Sequence, residues 1–225
     1  MSCYEELIAS TAADRAHLFA APVIADCLQG GVSRENYLAF LQQAYHHVRH
    51  TTPLLMALGA SLPDRLAWMR RAVVEYIKEE IGHEEWILDD IKAAGGDPEA
   101  VRRSHPDLPA EVMVAYAYDL IARGNPAGFF GMVFVLEGTS VALALTAADR
   151  IQEALGLPDA AFSYLRSHGT LDQEHTRYLA ELLDQLPPDD QAEVRRVARV
   201  FFKLYGDIFR ALPSANVPRQ DATWN

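Results

Sequence analysis

Apolar residues recur at intervals of three and four along almost the whole chain, and no alternating strand pattern separates the Gly and Pro positions. This pattern predicts an all-α fold. We expect a first helical region over about residues 4–28, which ends at Gly30 and Gly31. A second helix should begin after a Ser33 cap and bend near Pro53, because proline removes a backbone donor.

The rest of the chain predicts further helices with short connections. A long third helix should run from about residue 63 to residue 95, through the segment EYIKEEIGHEEWILDD. An apolar helix should open at Asn125–Pro126, and others are predicted over residues 110–123, 160–168, 170–186 and 189–212. Such helices indicate one bundle domain over residues 1–212, followed by a flexible tail over residues 213–225.

One stretch, residues 124–148, raises the question of a membrane span, since Glu137 is its only ionisable residue. It contains Asn125, Pro126 and Gly128, and the rest of the chain has the pattern of soluble amphipathic helices. We therefore expect the central buried helix of a bundle.

Charge and cysteine content exclude several function classes. The formal net charge of -11 and the pI near 5.1 give a surface that repels phosphate and anionic lipid, so we expect no nucleic-acid or membrane partner. Cys3 and Cys27 are the only cysteines, which leaves no disulfide framework and no Cys-rich zinc site. The first residues lack the features of a secretory signal, and a cytoplasmic protein is the expectation.

Glu137 is the first candidate for chemistry, because a carboxylate inside a buried helix needs a partner or must be protonated. A distant Arg or Lys would satisfy it, and so would a metal ion. The segment SHGTLDQEH supplies candidate co-ligands, His168, Asp172 and His175, which lie within about 60° of one helix face if the helix continues past Gly169. An exposed polar stripe would show the same spacing.

The segment KEEIGHEEW places His83 three residues after Glu80 and four after Glu79. A Glu-x-x-His pair on a helix presents one oxygen and one nitrogen inward in di-iron helical bundles. The alternative is a solvated acidic surface, since Glu84 and Glu85 follow directly. Either carboxylate can share a face with His83, and the Glu-x-x-His spacing favours Glu80.

Together the three segments offer three carboxylates and three histidines, which suits two metal ions. A mixed nitrogen and oxygen set favours iron or manganese over calcium or magnesium, and iron is the expected metal. The predicted ligands are Glu80, His83, Glu137, His168, Asp172 and His175.

The other histidines and the second cysteine carry weaker signals. His46 and His50 are spaced to face one way, which allows one of them to lie behind the ligands. His17 and His105 are expected on the surface or in loops. Nothing near Cys27 marks it as an activated nucleophile.

The motifs EEIGH, LEG and HGTLDQEH resemble, in order and placement, the ligand motifs of the heme-oxygenase-like di-iron oxidases and oxygenases. That superfamily also contains TenA thiaminases, pyrroloquinoline quinone synthases and CADD-like proteins, and the resemblance covers nearly the whole helical chain. It implies a bundle of seven to eight helices, often a homodimer, that binds two ferrous ions and activates O2. Implied substrates are amines, amino acids or fatty acids, in an interior lined partly by Phe129, Phe130 and Tyr45.

Three alternatives within the resemblance remain. Self-modification of a chain tyrosine is disfavoured, because Phe40 stands near where a tyrosine would be expected. A metal-free TenA- or PqqC-like enzyme of cofactor metabolism is a second alternative, although the helix FFGMVFVLEGTSVALAL lacks the thiaminase cysteine. A non-catalytic metal-binding protein is the third.

Overall fold

The structure, a computed structural model, describes residues 2–214, except for the side chains of residues 170–174. The all-α prediction is confirmed. Where seven to eight helices were expected, the described part contains twelve α-helices: α1 Cys3–Ser10, α2 Ala12–Phe19, α3 Pro22–Leu28, α4 Arg34–Val48, α5 Thr51–Ser61, α6 Met69–Glu80, α7 His83–Ala93, α8 Pro98–Arg103, α9 Leu108–Arg123, α10 Phe129–Leu155, α11 Ser163–Asp184 and α12 Pro188–Ala211.

The predicted helices near the N-terminus are interrupted. The first region is three helices, with breaks at Thr11 and before Pro22. The hydroxyl of Ser33 accepts the amide of Asn36, which confirms the predicted cap of α4. In place of the expected bend near Pro53, α4 ends at Val48 and two residues separate it from α5. Pro53 therefore lies in the first turn of α5, where its missing N–H costs nothing.

The predicted long helix over residues 63–95 was wrong in its continuity. α6 ends at Glu80, Ile81 is extended, and Gly82 has φ 93°, the left-handed region that favours glycine. α7 then begins at His83. Glu80 and His83 therefore do not lie on one helical face. They lie on two helix ends that face each other across Ile81 and Gly82, here called the joint.

The opposite correction applies to α11, which runs without interruption where two helices over 160–168 and 170–186 were predicted. Gly169 allows this helix to pass close to α10, because a Cβ there would lie 2.7 Å from a carbon of Leu145. The segment between α7 and α9 contains the short helix α8, whose first two free amides bond to the Asp97 carboxylate.

The apolar helix α10 is the centre of the bundle and packs against α11 and α12. Gly131 permits the crossing with α12, since an added Cβ would lie 2.6 Å from the Val194 carbonyl oxygen. Residues Pro126–Leu155 are long and apolar enough to cross a membrane, but 56% of the most apolar window is buried inside the bundle. This is the pattern of the core helix of a soluble bundle.

A buried carboxylate fastens α11 to α7. Asp90, fully buried on α7, accepts the backbone amides of Ser163 and Tyr164 at 2.9 Å each, and the Ser163 hydroxyl donates to it as well. These are free amides at the start of α11, so Asp90 caps that helix from another element. The two helices that carry His83 and His168 are therefore held together by hydrogen bonds as well as by packing.

The division into a domain of residues 1–212 and a tail stays a prediction, and residues 215–225 lie outside the described part.

Candidate metal centre

Three predicted ligands meet at the joint between α6 and α7. The oxygens of Glu80 and the ring nitrogens of His83 and His168 offer donor atoms that all lie within 4.8 Å of one another. Nδ1 of His83 is 3.2 Å from Oε2 of Glu80, and these side chains are only 4% and 10% exposed. Two helix ends and the middle of α11 thus bring one carboxylate and two imidazoles to a shared point.

Aromatic rings fix the orientation of the two imidazoles. The His83 ring stacks on Trp86 at a centroid distance of 3.9 Å and meets the His168 ring edge-on at 4.8 Å. Tyr164, one turn before His168, packs edge-on against it at 4.8 Å. Packing on several sides restricts ring rotation, which prepares the nitrogens for a ligand.

A second group lies on the other side of the same region. His175 directs Nδ1 at 3.5 Å toward Oε1 of Glu137, and its Nε2 lies 2.7 Å from Oε2 of Glu79. Glu137 and His175 are buried, whereas Glu79 is half-exposed. The carboxylate of the central helix therefore lies beside a histidine of α11, and Glu79 adds an acceptor at the rim.

One predicted ligand is not described. The side chain of Asp172 lies outside the described residues, as does that of Glu174. The α11 backbone is continuous from residue 168 to residue 175, which is the condition on which the predicted common face depended. The role of Asp172 stays a prediction.

The donor set fits iron by its chemistry. Carboxylate oxygens and imidazole nitrogens are the ligands of non-heme iron, and five of the six predicted side chains converge here from α6, α7, α10 and α11. Poorly solvated carboxylates beside imidazoles are costly without a positive charge. Nδ1 of the buried His83 lies 3.2 Å from the Glu80 carboxylate but has no hydrogen-bond partner among the described residues, so a cation between the two groups would satisfy both.

A cavity of about 90 Å3, here called the site cavity, opens beside these residues and is lined by His47, Tyr76, Glu80, Glu137, Ser140 and His168, among others. Tyr76 and His47 were not predicted to face the site. The phenol of Tyr76 has no hydrogen-bond partner among the described residues, and burial followed by the charge of Glu137 raises its pKa well above the usual range. Tyr76 is therefore a neutral hydroxyl available to a ligand.

His47 is adjacent in sequence to His46, one of the two histidines whose spacing indicated a position behind the ligands. Its ring is buried, Nδ1 lies 3.0 Å from the Gln43 carbonyl oxygen, and burial lowers its pKa to about 4. Phe40, Ala44 and His47 share an inward helical spacing, and that signal could have identified it. Tyr76 likewise precedes Glu80 by one turn.

The remaining predicted residues lie elsewhere. His46 lies 2.9 Å from the Ser104 hydroxyl and His50 3.2 Å from the Tyr118 hydroxyl, away from the site cavity, so neither supports the ligands. His17 and His105 are exposed, as expected. Phe129 lines the site cavity, but Phe130 is not among its lining residues, and Tyr45 packs against His46 instead.

Comparisons with known proteins agree with this fold. A sequence profile for a family described as iron-containing redox enzymes matches residues 38–206. A comparison with curated protein sequences gave no significant match. A Shewanella denitrificans domain of unknown function with a heme oxygenase-like fold shares 23% identity over 93% of this chain and 90% of that one, with a TM-score of 0.84.

Two other solved structures have the same fold at lower identity. A TenA homologue from Pseudomonas syringae is 11% identical, with 91% of this chain and 90% of that chain covered and a TM-score of 0.75. A CADD-like protein of unknown function from Nostoc punctiforme is 16% identical, with 92% and 94% covered and a TM-score of 0.72. Identities this low establish a shared fold and carry no information about substrate.

Proposed function

The chain belongs to the family of iron-containing redox enzymes, and from that premise we propose that it is a non-heme di-iron oxidase or oxygenase acting on a small organic substrate. The observation that carries the proposal is the convergence of Glu80, His83 and His168 to within 4.8 Å. Glu137 and His175 adjoin them in the same buried region. These side chains offer more ligands than one metal ion requires.

We assign the ligands to the two ions by proximity. Glu80, His83 and His168 would hold one ion, and Glu137 and His175 would hold the second, with Asp172 joining from α11. When bound, the two ferrous ions supply the electrons with which O2 is activated.

The structure suggests different roles for the two adjacent carboxylates of α6. Glu80 is 10% exposed and lies within the donor cluster, whereas Glu79 is 53% exposed and contacts Nε2 of His175. A carboxylate behind a ligand histidine fixes its tautomer and orientation, and losing such a partner typically costs about 10–100-fold in metal affinity. We therefore assign Glu80 as a ligand and Glu79 as the partner of His175.

The chain's own groups complete the site. Tyr76 presents a neutral hydroxyl in the cavity, able to donate a hydrogen bond or a proton to a bound molecule. The rest of the wall includes apolar side chains, Phe129, Met132 and Leu136 among them, which limit the water beside the donors. A buried cavity of this kind favours a small organic substrate over a macromolecule. We further propose a cytoplasmic homodimer with no nucleic-acid or membrane partner.

Two alternatives make different predictions. A metal-free, TenA-type hydrolase needs a nucleophile, but burial raises the pKa of the Cys27 thiol to about 11, which keeps it protonated at neutral pH. A protein that only stores metal would bind iron without coupling it to substrate. Oxygen consumption by the ferrous protein that depends on an added organic substrate separates an enzyme from a store.

The first test is anaerobic titration with ferrous iron, which should saturate close to two ions per chain. His83→Ala should abolish at least one of these sites, because a buried cation that loses a ligand is bound weakly. The exposed His105→Ala is the matched control and should bind as the wild type does. Saturation at one ion, or equal behaviour of the two variants, would defeat the assignment.

The second test separates the neighbouring carboxylates. Glu80→Gln should remove an ion, whereas Glu79→Gln should retain both sites with affinity reduced by about 10–100-fold. Inductively coupled plasma analysis after dialysis at several free iron concentrations measures the difference. A reversed order of the two variants would show that the assignment of Glu79 and Glu80 is wrong.

A further inference from the structure

A second cavity adjoins the site cavity and has a different chemistry. This space, here called the apolar chamber, has a volume of about 100 Å3 and lies between α3, α4, α10, α11 and α12. Its wall includes Val23, Cys27, Phe40, Leu143, Ala144 and Ile151. An empty apolar space of this size lowers the stability of a close-packed interior unless a ligand fills it.

The lining of the chamber leaves little for a charged ligand to bind. Among the described residues, no Asp, Glu, Lys or Arg lines it. The Tyr37 hydroxyl donates to the Ala161 carbonyl oxygen at 2.5 Å, and the Thr139 hydroxyl donates to the Val135 carbonyl oxygen at 2.7 Å. The Cys27 thiol is protonated. An ionised group placed in this chamber would lose its hydration without compensation.

The chamber reaches the candidate metal centre at one end. Ser140, Tyr164, His168 and Tyr205 line both cavities and form the junction between them. The hydroxyl of Ser140 is buried and has no hydrogen-bond partner in the part of the chain that the structure describes. The junction therefore offers a polar contact next to a donor of the iron site.

We propose that the apolar chamber binds the aliphatic tail of the substrate, a linear molecule with one polar end that lies at the junction beside Ser140. The inference rests on the proposed function only in placing the reacting end at the iron site, since binding of the tail requires no metal. It narrows the substrate class, because polyamines and amino acids with charged side chains carry charges along the chain that would have to enter the chamber.

The volumes set an approximate chain length. An apolar cavity of about 150 Å3 is enough to hold benzene. The apolar chamber alone, at about 100 Å3, is smaller than that, so a tail on the order of four carbon atoms fits. Longer chains would have to extend past Leu28, which is partly exposed at the edge of the chamber.

The experiment measures binding of a series of 1-alkanols, from ethanol to octanol, to the full chain freed of metal by chelation. Titration calorimetry should show saturable binding with Kd falling about fourfold per added methylene, the equivalent of burying one CH2. The decrease should level off near about four carbons, the length that the chamber accommodates.

Four variants locate the binding. Ala144→Phe fills the chamber and should remove the dependence on chain length, whereas Val141→Phe, at a 39% exposed position of the same helix, should leave it unchanged. Ser140→Ala should weaken every alkanol by a similar factor and preserve the slope. Thermal unfolding checks that each variant folds, and Ala147→Leu fills the chamber more mildly if Ala144→Phe does not fold.

The outcomes separate this inference from the iron assignment. Absence of saturable alkanol binding, or the same slope in wild type and a folded chamber-filling variant, would overturn the proposal even if two irons bind. Chain-length-dependent binding that Ala144→Phe removes would support it even in a protein that binds no iron, and the proposed function would then fail alone.

Discussion

Replacement of Gly131 by alanine tests the packing that carries Glu137 into the site. An alanine Cβ would lie 2.6 Å from the Val194 carbonyl oxygen and 2.7 Å from the Ala198 nitrogen, both backbone atoms of α12. Restoring an ordinary contact of 3.4 Å requires α10 and α12 to separate by about 0.8 Å along that direction. No side-chain rotation relieves the overlap, so the helix crossing itself must open.

Two opposing contributions decide the size of the effect. Alanine is intrinsically better than glycine inside a helix by about 0.8–1 kcal/mol. Overpacking a core typically costs about 1–3 kcal/mol, and a backbone overlap belongs at or above the upper end. We therefore expect Gly131→Ala to lower the free energy of unfolding by about 2 kcal/mol and the melting temperature by about 4–8 °C.

Gly138→Ala on the same helix provides the control. An added Cβ at this position meets nothing within 4 Å, so only the gain in helix propensity should remain. The free energy of unfolding should rise by about 0.5–1 kcal/mol. Urea unfolding followed by circular dichroism at 222 nm measures both variants. Stabilisation by both alanines would refute the close crossing of α10 and α12.

Two further predictions concern groups around the site. Burial lowers the pKa of His47 to about 4. As pH falls from 7 to 4, the unfolded chain therefore binds a proton on this ring that the folded chain does not, and metal-free wild type should lose about 3 kcal/mol of stability beyond the loss in His47→Gln. Parallel pH profiles of unfolding free energy for the two proteins would contradict the neutral, buried ring. Asp172→Ala should lose at least one iron and all oxygen uptake, whereas Glu174→Ala, which helical spacing turns away from the ligand arc, should be nearly silent. Equal losses of bound iron in the two variants would mean that the predicted face of α11 is wrong.

Helical periodicity was sufficient to predict the fold class and most helix positions, because a helix that buries one face has apolar residues at intervals of three and four. Helix breaks were harder to predict. Gly82 ends one helix and starts another, while Gly169 lies inside a continuous helix, and only the tertiary environment distinguishes the two glycines. Local spacing therefore gave a continuous helix at the first position and a break at the second.

At the site, local spacing identified residues that do converge. It assumed that they share one face of a single helix, and this is not true of every pair. Glu80 and His83 meet across a joint and not along one helix, and Glu79 contacts a histidine that is distant in sequence. His47 and Tyr76 were missed because their role depends on which cavity the assembled bundle encloses. The chamber could not be predicted at all, since five helices contribute to it.

The joint at Ile81 and Gly82 has a consequence for how such a site can diverge. In an unbroken helix, moving one ligand relative to the other would disturb the core residues of that helix. Here the last residue of α6 and the first of α7 belong to separately packed segments, anchored by Tyr76 and by Ile87. A side chain at Gly82 would meet nothing within 4 Å and would bear only the left-handed backbone cost of about 1–2 kcal/mol. Mutations in the joint can therefore vary the spacing of two metal ligands while the core is conserved, and new reactivities become accessible without a new fold.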